Sequence, residues 1–119
     1  MAAPNIISVS TIKLKSNAGA LSTTTSDLLE NPASSGKVIR IAAMYITNID
    51  GATTANATIG FYNGTNTYKL GHLVSVPAQA TLVFTTKESP VNLEETHKIT
   101  GSASANSKLD YVISYEEIS

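Results

Sequence analysis

Apolar residues along this chain recur at every second position far more often than at every third or fourth, the spacing of strands rather than helices. Ile6 to Lys15 reads as a first strand, broken by Ser-Asn-Ala-Gly at 16 to 19. Ala20 to Leu29 reads as a weaker one, and Asn31-Pro32 stops any helix within one turn. Lys37 to Asn48 gives the strongest signal. Val38, Arg40, Ala42, Met44 and Ile46 alternate with Ile39, Ile41, Ala43, Tyr45 and Thr47. Both faces are largely apolar, which predicts a strand covered on both sides. Thr54 to Tyr62 follows, with Ala55, Ala57, Ile59 and Phe61 on one face. Asn63-Gly64 predicts a tight hairpin turn into Tyr68 to Val76, with Tyr68, Leu70, Val74 and Val76 inward.

Beyond Pro77, Thr81 to Thr86 directs Leu82 and Phe84 the same way, and Ser89-Pro90 turns the chain toward Val91 and Leu93. Lys98 to Ala103 and Leu109 to Ile118 are the last strands. The final one sets Leu109, Tyr111, Ile113 and Tyr115 against Asp110, Ser114 and Glu116. About eight antiparallel strands with frequent turns predict an all-β domain, a β-sandwich or jelly roll. No internal repeat or linker divides the 119 residues, so one domain over 1–119 is expected, with residues 1–8 as an N-terminal arm.

Composition supports this reading. Thr, Ser and Asn supply 38 of the 119 residues, which suits short strands joined by turns. Charged residues are 14% of the chain, well under the usual quarter, which hints that some surface is covered in the working state. Eight Lys and Arg face nine Asp and Glu, and Arg40 is the single arginine. No basic stripe is present, so no nucleic-acid partner is expected. No apolar run reaches the length of a membrane span, and the Met-Ala-Ala-Pro-Asn-Ile-Ile start lacks the features of a secretory signal. Without cysteine there is no disulfide framework and no thiolate metal site.

Candidate chemistry is thin. Glu94, Glu95 and His97 form the most metal-like cluster, but Glu-Glu-Thr-His also reads as a solvated turn before a strand. His72 lies mid-strand beside Leu70 and Val74, where a packed or interfacial role fits. No serine sits in a nucleophile elbow, and Glu94-Glu95 and Glu116-Glu117 would point to opposite faces of a strand. Asn56 and Asn63 match the glycosylation acceptor pattern but read as strand and turn residues. The five tyrosines (45, 62, 68, 111, 115) could stack on sugars or fill a core, and the lack of tryptophan disfavours sugar. The expectation is a non-enzymatic protein with no cofactor, no metal and no small-molecule ligand.

A resemblance narrows the class. Lys37-Val38-Ile39-Arg40-Ile41 leads into Ile46-Thr47-Asn48. Val76-Pro77-Ala78, Pro90-Val91-Asn92-Leu93-Glu94-Glu95 and the Ser- and Ala-rich 99–106 stretch follow. Over roughly residues 36 to 118 this resembles the small all-β virion structural proteins of tailed bacteriophages, notably those of marine cyanobacteria. The chain departs from that pattern at Thr96-His97, where Gly-Asp is usual. The resemblance implies a virion protein assembled in the host cytoplasm: a capsid decoration (cement) protein, or alternatively a neck, tail or baseplate component. Its partners would be the major capsid protein or other virion proteins, and further copies of itself, with a trimer as the guess. A carbohydrate-binding or adhesive module is the alternative of another class. Candidate contact residues are Ile6, Ile7, Val38, Arg40, Met44, Tyr45, His72 and Tyr115.

Overall fold

The computed structural model describes residues 11–85 and 91–119. Among them are nine strands and no helix. They are β1 (Ile12–Ala20), β2 (Ser26–Glu30), β3 (Val38–Asn48), β4 (Ala55–Tyr62), β5 (Thr67–Val76), β6 (Thr81–Thr85), β7 (Val91–Leu93), β8 (Lys98–Ala103) and β9 (Leu109–Ile118). They form two antiparallel sheets, so the all-β sandwich read from the sequence is the fold. The first sheet runs β1-β9-β3-β6, with β7 also paired to β3, and the second runs β2-β8-β4-β5.

The core between the sheets explains β3, where the sequence misleads. Ile39 and Ile41 are buried, and so are Met44, Ile46 and Asn48. Strict alternation would put those two groups on opposite faces. Against β9, however, Ile41 pairs with Tyr115 and Ala43 with Ser114, so Ala42 is an extra residue. This β-bulge advances the pleat by one position and turns both apolar groups inward. The strand is therefore buried on one face only, and the expectation of cover on both is corrected.

Similar irregularities account for other departures. Tyr68 and Leu70 are exposed rather than inward. The β4–β5 pairing shifts on both sides of Ile59, and Leu73 has φ 51°, so alternation along β5 is lost. The Asn63-Gly64 turn is a four-residue loop that returns at Asn66. Asn63 Oδ1 accepts the Thr65 and Asn66 N–H groups at 3.0 and 2.9 Å, and Gly64 takes φ 92°. The predicted break at 16–19 is absent: β1 pairs with β9 without interruption as far as Ala20 opposite Asp110. Gly19 fits there because the Tyr111 ring lies across it; a Cβ would meet the Tyr111 hydroxyl at 3.0 Å. The second strand shortens to Ser26–Glu30, and Leu21 before it is buried, its N–H donating to Leu109 O at 2.8 Å. Residues 6–10, the arm at 1–8, Thr86 and the Ser89-Pro90 turn lie outside the described residues.

Two buried asparagines pin the loops. Asn48 Nδ2 donates to Thr53 O and Val76 O, both at 2.9 Å, while its Oδ1 accepts the Asp50 N–H. Asn31 Nδ2 donates to Lys37 O and Leu93 O, and its Oδ1 accepts the Ser35 hydroxyl. Each amide replaces water for carbonyls that have left it, so loss of the side chain strands those carbonyls. Asn48→Ala is expected to lower unfolding free energy by about 2–3 kcal/mol in urea titration. Thr96 has φ 74°, in the left-handed region that disfavours β-branched residues. Thr96→Gly is expected to raise stability by about 1 kcal/mol in the same assay.

Candidate functional site

Register assigns each side chain of the first sheet to a face. Ile39, Ile41, Met44 and Ile46 of β3 and Leu109, Tyr111 and Ile113 of β9 point into the core. Their alternates form the outer face. Across the middle of that face Ala18, Val112, Tyr45 and Val83 stand side by side on β1, β9, β3 and β6. Tyr45 is 39% exposed, Val112 41% and Val83 49%. Next to this row lie Ser16, Ser114 and Ala43; beyond them come Leu14, Glu116 and Arg40, then Ile12, Ile118 and Val38. Leu14 is 79% exposed and Ile12 56%. On the other side Thr47 and Thr81 join hydroxyls at 3.0 Å.

The outer face is thus mainly small or apolar, with Arg40 set opposite Glu116. Ala42, the bulge residue, helps to line a shallow groove of about 440 Å³ with Leu14, Ser16, Ser114 and Glu116. The face measures roughly 30 Å along β1 and 15 Å across four strands. That footprint is smaller than the ~800 Å² per partner of a standard protein interface. A single copy docking through this face alone would bind weakly, and durable attachment would need several copies acting together.

β1 carries this pattern to an extreme. Its outward residues are Ile12, Leu14, Ser16, Ala18 and Ala20, and its inward ones are Lys13, Lys15, Asn17 and Gly19. An ordinary edge strand shows the reverse, apolar inside and polar outside. Two of the inward polar groups have partners nearby. Asn17 Nδ2 donates to Leu28 O of β2, and Lys15 Nζ pairs with Glu117 at 3.1 Å. Lys37 Nζ reaches the same Glu117 oxygen at 3.3 Å.

Electrostatics elsewhere is structural. Burial pushes Glu117 up, but hydrogen bonds from Lys15 and Lys37 together outweigh it and leave the carboxyl below its ordinary range. Asp50 lies well below the usual carboxylate range, held by the Lys108 ammonium and then by the Thr53 hydroxyl. Asp27 beside Lys98 raises that lysine, and burial raises Tyr111. Lys98 also lies 5.0 Å above the Tyr62 ring.

The candidate contact residues separate. Val38, Arg40 and Tyr45 share the outer face of the first sheet. His72 is exposed on β5 of the second sheet. Met44 is fully buried and offers no surface, which removes it as a contact residue; the β3 bulge that turns it inward is the reason. Tyr115 pairs with Ile41 and packs half-buried against the core. Ile6 and Ile7 lie outside the described residues. Val83, Val112 and Leu14 escaped the sequence reading. Val112 left a signal, an apolar side chain between Asp110 and Ser114 on a polar face.

The Glu94–His97 segment is a turn in which His97 N–H donates to Glu94 O and His97 Nδ1 accepts the Glu94 N–H. The His97 ring meets Phe61 edge-on at 5.3 Å. Glu95 accepts the Gly36 N–H at 2.9 Å. Among the described residues no three His, Asp or Glu side chains gather closely enough to hold a metal ion. Thr96, where the resembled pattern has glycine, adopts the positive φ that glycine would take at less strain.

Because Glu117 titrates below its ordinary value of 4.5, the stability it adds is present above that pH and is lost as pH falls through its folded-state value. Glu117→Gln is expected to cost about 1 kcal/mol at pH 7 and less than half of that at pH 3, in paired urea titrations.

No protein-family model and no curated protein matches this chain. Among solved structures it is similar to a chain of the acidic stable capsid structure of Helicobacter pylori bacteriophage KHP30. The TM-score is 0.54 at 9% identity, and the match covers 93% of this chain and 90% of that one, a likeness of fold along nearly the whole length of both.

Proposed function

We propose that this chain is a structural protein of a phage particle, and within that class a decoration protein that binds the outside of the head. The observation that carries the reading is the end-to-end fold likeness to a chain from a phage capsid structure, with little left over in either chain. Strand order adds support. β1 pairs with β9, which pairs with β3, and β2 pairs with β8, which pairs with β4; we read this order as the jelly-roll winding found among viral capsid domains. The outer face of the first sheet supplies a rigid, weakly charged surface for other virion proteins.

The mechanism is mass action. A protein that binds only the assembled shell stabilises that shell in proportion to its occupancy. A small footprint per copy makes attachment depend on several copies engaging at once, which suits a repeating lattice. Adhesion to sugar has less support, because the exposed tyrosines Tyr45 and Tyr68 lie on different sheets and form no shared stacking platform.

Sedimentation of the purified chain with empty capsids of the phage that encodes it tests the reading. Co-sedimentation at a fixed ratio per capsid subunit is expected. Tyr45→Asp and Val112→Lys are each expected to weaken it about 30-fold, with a loss of stability of only about 1 kcal/mol. A chain that stays in the supernatant with intact heads but pellets with tails would overturn the decoration assignment and favour a neck, tail or baseplate position.

A further inference from the structure

A sheet edge is a row of free N–H and C=O groups, and proteins usually blunt it. Among the described residues the sheets end at β1, at β6 with the three-residue β7, at β2 and at β5, and all but β1 are blunted. β2 and β6 are five residues long, each with a register shift, and the β5 pairing is shifted on both sides of Ile59. The fourth edge, β1, has nine residues in unbroken register, and among the described residues no strand pairs with its outer side.

The free groups on that edge can be identified. Thr11 and Ser119 exchange both backbone hydrogen bonds, at 3.0 and 2.9 Å, and Leu21 N–H donates to Leu109 O. Antiparallel ladders alternate, so the odd-numbered residues of β1 bond to β9 and the even-numbered ones aim their backbone groups outward. Ile12, Leu14, Ser16, Ala18 and Ala20 thus present both their free backbone groups and the exposed apolar side chains.

We infer that β1 pairs antiparallel with β1 of a second copy, about a two-fold axis at Ser16, joining two first sheets into one continuous sheet. The sequence Ile-Lys-Leu-Lys-Ser-Asn-Ala-Gly-Ala is complementary to its own reverse. With Ser16 opposite Ser16, Leu14 meets Ala18 and Ile12 meets Ala20, a large side chain against a small one each time. Lys13 meets Gly19 and Lys15 meets Asn17, so no like charges are opposed. Centring the axis one residue earlier sets Lys15 against Lys15, and two earlier sets Lys13 against Lys15; both oppose like charges directly. The chosen register uses the whole strand and gives about ten backbone hydrogen bonds. Lysines on an edge often repel strand addition, but Lys15 is already engaged by Glu117. Such an isologous contact closes at two copies, in place of the trimer expected from the sequence. It stands on the β1 geometry and does not require a place on a phage head.

Sedimentation equilibrium of the full chain, 12.5 kDa, is expected to show a species of twice that mass. Ser16→Pro removes an N–H that β9 does not use, so the variant is expected to keep its circular dichroism and cooperative unfolding. Its dimer dissociation constant is expected to rise about 100-fold. The chain has no cysteine of its own, so single cysteines report geometry cleanly. Ser16→Cys is expected to oxidise to a covalent dimer, since directly opposed residues lie about 5.5 Å apart, within disulfide reach. Leu14→Cys, displaced about 13 Å from its symmetry mate, is expected not to. A wild-type monomer at 100 µM, on the order of the upper range for a useful dimer, would overturn the pairing. So would a trimer indifferent to Ser16→Pro, or cross-linking at 14 as efficient as at 16. Dimers that appear only after removal of residues 1–10 would assign the edge to the chain's own N-terminal segment and overturn it equally.

Discussion

One extra residue in β3 organises this molecule. Ala42 has no counterpart on β9, and the resulting bulge brings Ile39 and Ile41 onto the same side as Met44, Ile46 and Asn48. Without it, either half of the strand would present its large side chains to solvent while its small or polar ones entered the core. Four large apolar side chains on the central strand, each stabilising by roughly 1.5–3 kcal/mol when buried, depend on that single shift of register. The complementary consequence lies outside. The outer face of the same strand keeps Val38, Arg40, Ala43, Tyr45 and Thr47, of which Arg40 and Tyr45 are exposed.

The ends of the sandwich are held by polar groups of fixed geometry instead of by bulk. Asn31 and Asn48 each tie two carbonyls and one further donor into the loops at either end of β3. Glu117 draws Lys15 of β1 and Lys37 from the approach to β3 toward one carboxylate oxygen. Asp50 joins Lys108 between two other loops. These contacts use few charges and leave the outer face of the first sheet nearly neutral. They also allow β1 to direct lysine and asparagine inward, so that its apolar residues project to the outside.

The sequence was most readable where strands run without irregularity. β4, β8 and β9 follow their alternation closely, and the turn chemistry at Asn63-Gly64 marked the β4–β5 hairpin. Reading failed where register shifts intervene. Alternation in β3 suggested cover on both faces, and alternation in β5 suggested inward Tyr68 and Leu70, because a bulge leaves no mark in hydrophobic period. The small residues Ser16 to Gly19 resembled a break, yet pairing with β9 and a close-packed Tyr111 ring hold them in a strand. Of the candidate contact residues, Val38, Arg40 and Tyr45 share the outer face of the first sheet, whereas the same bulge turns Met44 into the core. Leu14 and Val112 show as surface groups only when neighbouring strands give them a common face.

Deleting Ala42 and following the unfolding of the shortened chain in urea tests this account most directly. Removal of the bulge must force either Ile39 and Ile41 or Met44 and Ile46 out of the core. The account predicts loss of the cooperative transition, whereas deleting Ala52, in the exposed loop between β3 and β4, should leave a sharp transition with a modest loss of stability. A chain lacking Ala42 that unfolds as cooperatively as the Ala52 deletion, and at a similar midpoint, would contradict it.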